Sequence, residues 1–187
     1  MADAARATAL FRRFDAAELK WCRTFNRFGQ RPLVQPFFRL VSRLGDGVLW
    51  YTVMLCLPLA NGSAGVTAAV HMLLSAAVGT LIYKLLKHRL VRRRPFVAYT
   101  RVIHCGIAPL DEFSFPSGHT LHAACFTALA FFYFPALGLA LLPFALLVAC
   151  SRVVLGLHYP TDVLVGAALG LSIAGAGIVL VPGAGGL

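Results

Sequence analysis

Apolar residues in this chain gather into long runs separated by short polar stretches. Runs at 48–60, 66–83, 120–134, 136–150 and 163–181 each supply most of the roughly 20 residues that a membrane-crossing helix requires. The run at 48–60 is the shortest, so it must borrow from 43–47, where Arg43 can snorkel, or tilt and thin the bilayer. Asn61-Gly62-Ser63-Ala64-Gly65 reads as a tight uncharged connection between the first two runs, and Pro135 breaks the stretch between the third and fourth. The pattern predicts an all-α, polytopic membrane helical bundle of about five to six transmembrane helices.

The beginning of the chain follows a different pattern. Leu10, Phe11, Phe14, Leu19, Trp21, Phe25 and Phe28 interleave with Arg6, Arg12, Arg13, Lys20, Arg23, Arg27 and Arg31. Without an uninterrupted apolar core this is no cleavable signal peptide. It suits an amphipathic helix lying on an anionic lipid surface, the plainer alternative being a cytosolic amphipathic extension. The expected organisation is an interfacial segment at 1–44 and a membrane-embedded domain at 45–187. A hidden sixth crossing among residues 15–40 would carry Arg23, Asn26, Arg27, Gln30, Arg31 and Arg39 into the bilayer, at high cost.

Composition agrees with a membrane protein: 59% of the 187 residues are hydrophobic, too many for a soluble domain. The predicted topology puts all 17 Lys and Arg residues on one side, with a formal net charge of +10. No nucleic-acid motif accompanies them and they border membrane segments, so the expected partner is anionic lipid and not nucleic acid. By the positive-inside rule alone, the basic side is cytoplasmic. Cys22, Cys56, Cys105, Cys125 and Cys150 have no paired or ligand-like spacing and read as free packing residues. The glycine-rich end at 183–186 reads as a frayed tail.

Chemistry concentrates in three short blocks: Lys87 with Arg94-Pro95, then Pro116-Ser117-Gly118-His119, then Ser151-Arg152 followed by His158 and Asp162. Each lies at the mouth of an apolar segment, so three cations, two histidines and a carboxylate can converge at one membrane surface. Lys87 and Arg94 are seven apart, two helical turns if the segment is helical, and can then face one phosphate, Arg with forked donors and Lys as a point charge. Ser117 and Gly118 precede a helix N-terminus, where free N–H groups and the dipole favour an anion, and Gly118 permits close backbone approach. Asp162, four positions after His158 across a turn entered by Tyr159-Pro160, can accept a hydrogen bond from the histidine and fix its tautomer. Taken singly, these blocks have plainer readings as a helix cap, a structural pair and membrane-anchoring cations. Ionisable groups at a membrane edge are costly, however, and usually functional. Arg89, Arg92 and Arg93 read as an interfacial basic face, His71 and His122 as bundle-interior groups, His88 and His104 as solvated loop groups, and Asp111-Glu112 as partners for loop arginines.

Together the spacings Lys-x6-Arg-Pro, Pro-Ser-Gly-His and Ser-Arg-x5-His-x3-Asp resemble the tripartite signature of the type 2 phosphatidic acid phosphatase superfamily, across about residues 84–165. The resemblance implies an integral membrane lipid phosphatase in which His158 attacks phosphorus to give a phosphohistidine, with Asp162 fixing its tautomer. His119 would donate a proton to the leaving group and then act as base for water. Lys87, Arg94, Ser117, Gly118 and Arg152 would hold the phosphate. No cofactor or metal is expected: the acidic residues Asp3, Asp15, Glu18, Asp46, Asp111, Glu112 and Asp162 form no aspartate-rich magnesium motif. Implied substrates are undecaprenyl diphosphate first, then phosphatidylglycerophosphate, phosphatidate and lipid A, at a bacterial inner membrane with the site facing the periplasm, against the positive-inside rule. A lipid phosphotransferase and a catalytically silent phosphate-binding membrane protein are the rival classes.

Overall fold

The computed structural model describes residues 2–108, 111 and 113–180, with 2–13 as backbone only; the glycine-rich end at 183–186 and Glu112 lie outside the described residues. Helices α1 (Ala2–Gly29) and α2 (Val34–Arg43) are followed by a π-helical turn (Leu44–Val48) that feeds α3 (Leu49–Leu90). The short α4 (Pro95–Ala98), then α5 (Gly118–Tyr133), α6 (Pro135–Val154) and α7 (Pro160–Leu180), complete the chain. Among the described residues there is no strand, and an isolated bridge joins Arg93 to Phe113.

Helix α3 is two legs. Gly62 takes φ +55° and ψ −131°, a conformation that a Cβ would resist, and the chain folds back there as the uncharged 61–65 stretch predicts. Phe134 leaves helical geometry and Pro135 opens α6, so the second predicted break also falls where expected. Three helical stretches among the described residues are long and apolar enough to cross a membrane: Val34–Leu90, which contains this fold-back, Pro135–Val154 and Pro160–Leu180. With 16 residues, α5 is about 24 Å long at 1.5 Å per residue. It occupies the bundle centre, packed against α3, α6 and α7. Its buried Cys125, Phe126 and Leu129 share a core with Trp50 and Met72 from the two legs of α3. Leu55, Leu59, Leu74, Leu81, Leu146 and Leu164 point outward, an apolar exterior suited to lipid and not to water.

The closest packing is between α5 and α7. Asp162, Gly166, Gly170 and Ala174 form the buried stripe of α7 at four-residue spacing. A Cβ at Gly166 would lie 2.5 Å from the Ser117 carbonyl oxygen, and one at Gly170 would lie 2.2 Å from that of Leu121. Backbone therefore meets backbone, as at small-residue helix contacts in membranes, where packing replaces the hydrophobic drive. Asp162 is the uppermost member of the stripe, and its carbonyl accepts a hydrogen bond from Ser117 N–H at 3.1 Å.

Residues 15–40, where a sixth crossing would have to lie, are instead parts of two separate helices. Helix α1 caps the end of the bundle where α6 stops and α7 begins. Glu18 accepts hydrogen bonds from the N–H and hydroxyl of Thr161 at 2.6 and 2.7 Å. Two turns later, the Asn26 side-chain amide donates to the carbonyls of Val154 and His104 at 3.1 and 2.9 Å. Trp21, Phe25 and Phe28 remain exposed on the outer side of this helix.

Replacing Gly170 by alanine should force α5 and α7 apart and cost about 1–3 kcal/mol, the usual penalty for overpacking. Gly175→Ala, with nothing within 4 Å of the new methyl group, serves as the control. Unfolding in detergent should show the loss for the first variant alone; equal stability of the two would contradict the backbone contact.

Candidate active site

The last turn of α6 brings Arg152 and His158 together. Gly156, at φ +75°, lets the chain reverse in the left-handed C-cap arrangement: Gly156 N–H bonds to the Val153 carbonyl at 3.0 Å and Leu157 N–H to that of Arg152 at 3.0 Å. His158 N–H adds a bond to the same Arg152 carbonyl at 3.1 Å. The five-residue gap in Ser-Arg-x5-His is therefore the length of a helix stop that returns the histidine over the arginine.

His158 is 2% exposed. Burial, then the charges of Arg94, Arg152 and Lys87, hold its imidazole well below the usual histidine range, so it is neutral. Its Nε2 lies 3.2 Å from Arg94 Nη1. A guanidinium can only donate, so Nε2 presents its lone pair and the ring proton belongs on Nδ1. Nδ1 faces Asp162 Oδ2 at 3.6 Å, an ion-pair distance but longer than a hydrogen bond.

Lys87, Arg94, Gly118, His119, Arg152 and His158 all line one cavity of about 540 Å³. Three blocks distant in sequence thus meet at one mouth. The other two singled-out residues stand behind that lining. Ser117 is fully buried, its N–H given to Asp162 and its hydroxyl 3.0 Å from that of Thr120, and Asp162 backs His158. Arg152 is 3% exposed; it donates to the Ser42 hydroxyl at 2.5 Å, while its Nε has no hydrogen-bond partner among the described residues. Trp50, Tyr51, Tyr83 and Phe126 give the same cavity an aromatic wall.

The cation pair already holds an anion. Lys87 Nζ contacts both carboxylate oxygens of Asp111 at 2.7 Å, and Arg94 Nη2 reaches Oδ1 at 2.6 Å. Burial opposes the charge of Asp111, but Lys87 and Arg94 outweigh it and hold the carboxyl below its usual range. A partnership with loop arginines was expected for this residue; its partners are Lys87 at the end of α3 and Arg94, two of the cations expected to hold phosphate.

Arg92 is the principal residue that sequence reasoning misplaced. It reads as part of an interfacial basic run, yet it is 2% exposed and lies 3.9 Å over the Tyr159 ring. It donates to Asp162 Oδ1 at 2.5 Å, to Asp15 at 2.7 and 2.9 Å, to Glu18 at 2.7 Å and to the Thr161 hydroxyl at 2.7 Å. Burial works against its charge, and the carboxylates of Asp162, Glu18 and Asp15 more than offset that, so it is more firmly protonated than usual. The available signal was Asp15 and Glu18, two acids three residues apart on one face of a helix whose charges are dominated by arginine and lysine. Asp46 was also missed as a site neighbour: it lines the cavity with Oδ1 3.3 Å from His119 Nε2. Among the described residues, no group of three or more His, Cys, Asp or Glu side chains is placed to hold a metal ion.

A helical membrane bundle with an anion-gripping cation pair and two histidines at one mouth defines the class of protein. Residues 68–185 match the family model of the PAP2 superfamily. The chain belongs to that superfamily. Over 119 residues it is 39% identical to phosphatidylglycerophosphatase B of Bacillus subtilis (54% of this chain, 51% of the relative), and over 101 residues 36% identical to undecaprenyl-diphosphatase BcrC of the same organism (54% and 47%). It is also 36% identical over 93 residues to a lipid A 1-phosphatase of Rhizobium johnstonii (48% and 38%). The chain spans about half the length of the curated relatives it matches. Its fold is that of Aquifex aeolicus LpxE, with a TM-score of 0.76 at 24% identity over 87% of this chain and 95% of the other. It is likewise that of a transmembrane PAP2-type phosphatidylglycerolphosphate phosphatase from Bacillus subtilis, with a TM-score of 0.68 at 24% identity over 96% of both chains.

Two outcomes follow from these contacts. Arg92→Met leaves Asp162 buried without its cation and should cost about 3–5 kcal/mol. Adding Asp162→Asn should recover part of that loss, and strictly additive losses in the double-mutant cycle would contradict the pairing. Asp111→Asn frees Lys87 and Arg94 and should tighten orthovanadate binding about tenfold, equivalent to about 1.4 kcal/mol; weaker binding, read by calorimetry in detergent, would show that Asp111 supports the site instead of competing for it.

Proposed function

We propose that this protein is a membrane lipid phosphatase that hydrolyses a lipid phosphate or diphosphate through a phosphohistidine on His158, without a metal ion. The observation that carries this reading is that His158, with Nε2 3.2 Å from Arg94 Nη1, lines one cavity together with Lys87, Arg94, Arg152 and His119. Phosphoryl transfer asks the protein mainly for an in-line nucleophile and positive charge around the nonbridging oxygens. Nε2 attacks phosphorus, the bond to the leaving oxygen breaks with its electron pair, and His119 supplies that oxygen's proton. Water then attacks the phosphohistidine while His119 accepts its proton, and free phosphate leaves. The three cations bring the charge that a metal would otherwise bring.

A lipid substrate is supported by the aromatic wall beside the cations, which suits an amphiphile with a charged head. It is supported too by relatives named for phosphatidylglycerophosphate, undecaprenyl diphosphate and lipid A. Undecaprenyl diphosphate and phosphatidylglycerophosphate are the first substrates to test. The exposed Trp21, Phe25 and Phe28 of α1, beside Lys20, Arg23 and Arg27, support a position of that helix on an anionic lipid surface.

Purified protein in detergent should release phosphate from one of these lipids, at a rate unchanged by EDTA. His158→Ala should form no phosphoenzyme. His119→Ala should lose about 10²- to 10⁴-fold on an alkyl ester, yet accumulate phosphoenzyme from nitrophenyl phosphate, whose leaving group needs no proton. Acid-labile phosphoenzyme in the His158→Ala protein, or loss of turnover in EDTA restored by a divalent ion, would overturn the mechanism.

A further inference from the structure

The turn that joins α2 to α3 is irregular for an identifiable reason. Leu44–Val48 is π-helical, Asp46 has φ −82° and ψ 21°, and Gly47 has φ +125°. A Cβ on Gly45 would come within 2.6 Å of Val148 on α6, and the Gly45 carbonyl accepts a hydrogen bond from Trp50 Nε1 at 3.1 Å. The Gly-Asp-Gly sequence lets the backbone wedge between α6 and Trp50 where a larger residue could not fit. Its product is the aim of one side chain: Asp46 enters the cavity and brings Oδ1 to 3.3 Å from His119 Nε2.

The surroundings of His119 show why a carboxylate is needed. Burial above all holds the His119 imidazole far below the usual histidine range, and adding to it are Arg152 from α6, His158 from the turn before α7, His122 from its own helix and Arg94 at the start of α4. Each of these disfavours a second positive charge when protonated, and the two arginines always are. A leaving-group acid must nonetheless begin the cycle protonated. Asp46 is the carboxylate in contact with His119 among the described residues.

Resting on the phosphatase reading, we propose that Asp46 is a positioning residue for His119, holding a proton on Nε2 at the cavity face. As the ester bond breaks, that proton passes to the leaving oxygen, which takes the bonding pair. Neutral Nε2 then accepts a proton from the water that cleaves the phosphohistidine, which restores the imidazolium beside Asp46. The arrangement is a second histidine–carboxylate pair: Asp162 stands behind His158, whose neutrality comes from burial and the neighbouring cations, whereas Asp46 favours the proton on His119 against its surroundings.

The sign of the pH effect is fixed. A carboxylate at ion-pair distance raises the pKa of the imidazolium, so activity that needs protonated His119 persists to higher pH. Removing the charge should move the alkaline limb of kcat to lower pH by at least about one unit. At neutral pH, Asp46→Asn should lose about tenfold or more in kcat on an alkyl lipid phosphate with little change in KM, and Asp46→Glu should restore much of the loss. An alkaline limb identical to wild type, or a uniform loss at every pH, would overturn the proposal. ¹⁵N NMR of the histidines, with His119 assigned by its absence in His119→Gln, reads the pair without turnover. His119 should titrate lower in Asp46→Asn than in the parent, and equal titration would overturn the pairing. If the wild-type protein releases no phosphate from any lipid, the phosphatase reading fails while the NMR comparison still decides the contact. If Asp46→Asn does not fold, Asp46→Ser takes its place in the NMR comparison, and an unshifted His119 titration there with an unshifted limb would overturn the proposal.

Discussion

Asp162 is a carboxylate with no exposure to solvent, and a buried charge without partners costs several kcal/mol. Its compensation sets much of the architecture at this end of the bundle. Tyr159 N–H bonds to one oxygen and Arg92 to the other. Arg92, itself buried, needs more negative charge than one carboxylate offers, and α1 delivers it as Asp15 and Glu18. One ionised group thereby ties the start of α7, the segment after α3 and the N-terminal helix into a single network. His158 lies against that network, its Nδ1 3.6 Å from Asp162 Oδ2.

Packing along α7 places the carboxylate at the required depth. Gly166, Gly170 and Ala174 let α7 lie against the α5 backbone, and Asp162 continues the same four-residue stripe at the edge of the bundle. Because Ser117 N–H bonds to the Asp162 carbonyl, the helix carrying His119 and the helix following His158 are registered to each other before any substrate contact. The Val91 backbone, at φ +45°, is a further sign of constraint: a β-branched residue in the left-handed region is strained, and such strain persists only where surrounding structure holds it. Here it turns the chain from Lys87 at the end of α3 toward Arg92 and Arg94.

The helices were legible because hydropathy in a membrane protein is a strong, local signal, and the breaks at Gly62 and Pro135 are local backbone chemistry. Convergence of the three blocks was legible because each sits at the polar end of an apolar run. What escaped were pairings set by tertiary contact. Arg92 looks like its neighbours Arg89 and Arg93 in the sequence, and only the depth of Asp162 distinguishes it. Asp46 lies in a segment whose π-helical register no periodicity predicts. Ser117 was expected to contribute to an open anion-binding N-terminus, but the docking of α7 takes its N–H. Asp111 was seen as a partner for cations, though not as an occupant of the cation pair at the site.

The most direct measurement is a structure of the protein with orthovanadate bound, since a trigonal vanadate mimics phosphorus at the moment of transfer. Vanadium is predicted to lie within bonding distance of His158 Nε2, its equatorial oxygens held by Lys87, Arg94 and Arg152, His119 near the apical oxygen and the Asp111 carboxylate withdrawn from Lys87. Vanadate bound away from His158, or joined to His119 instead, would contradict the assignment of nucleophile and acid on which the mechanism rests.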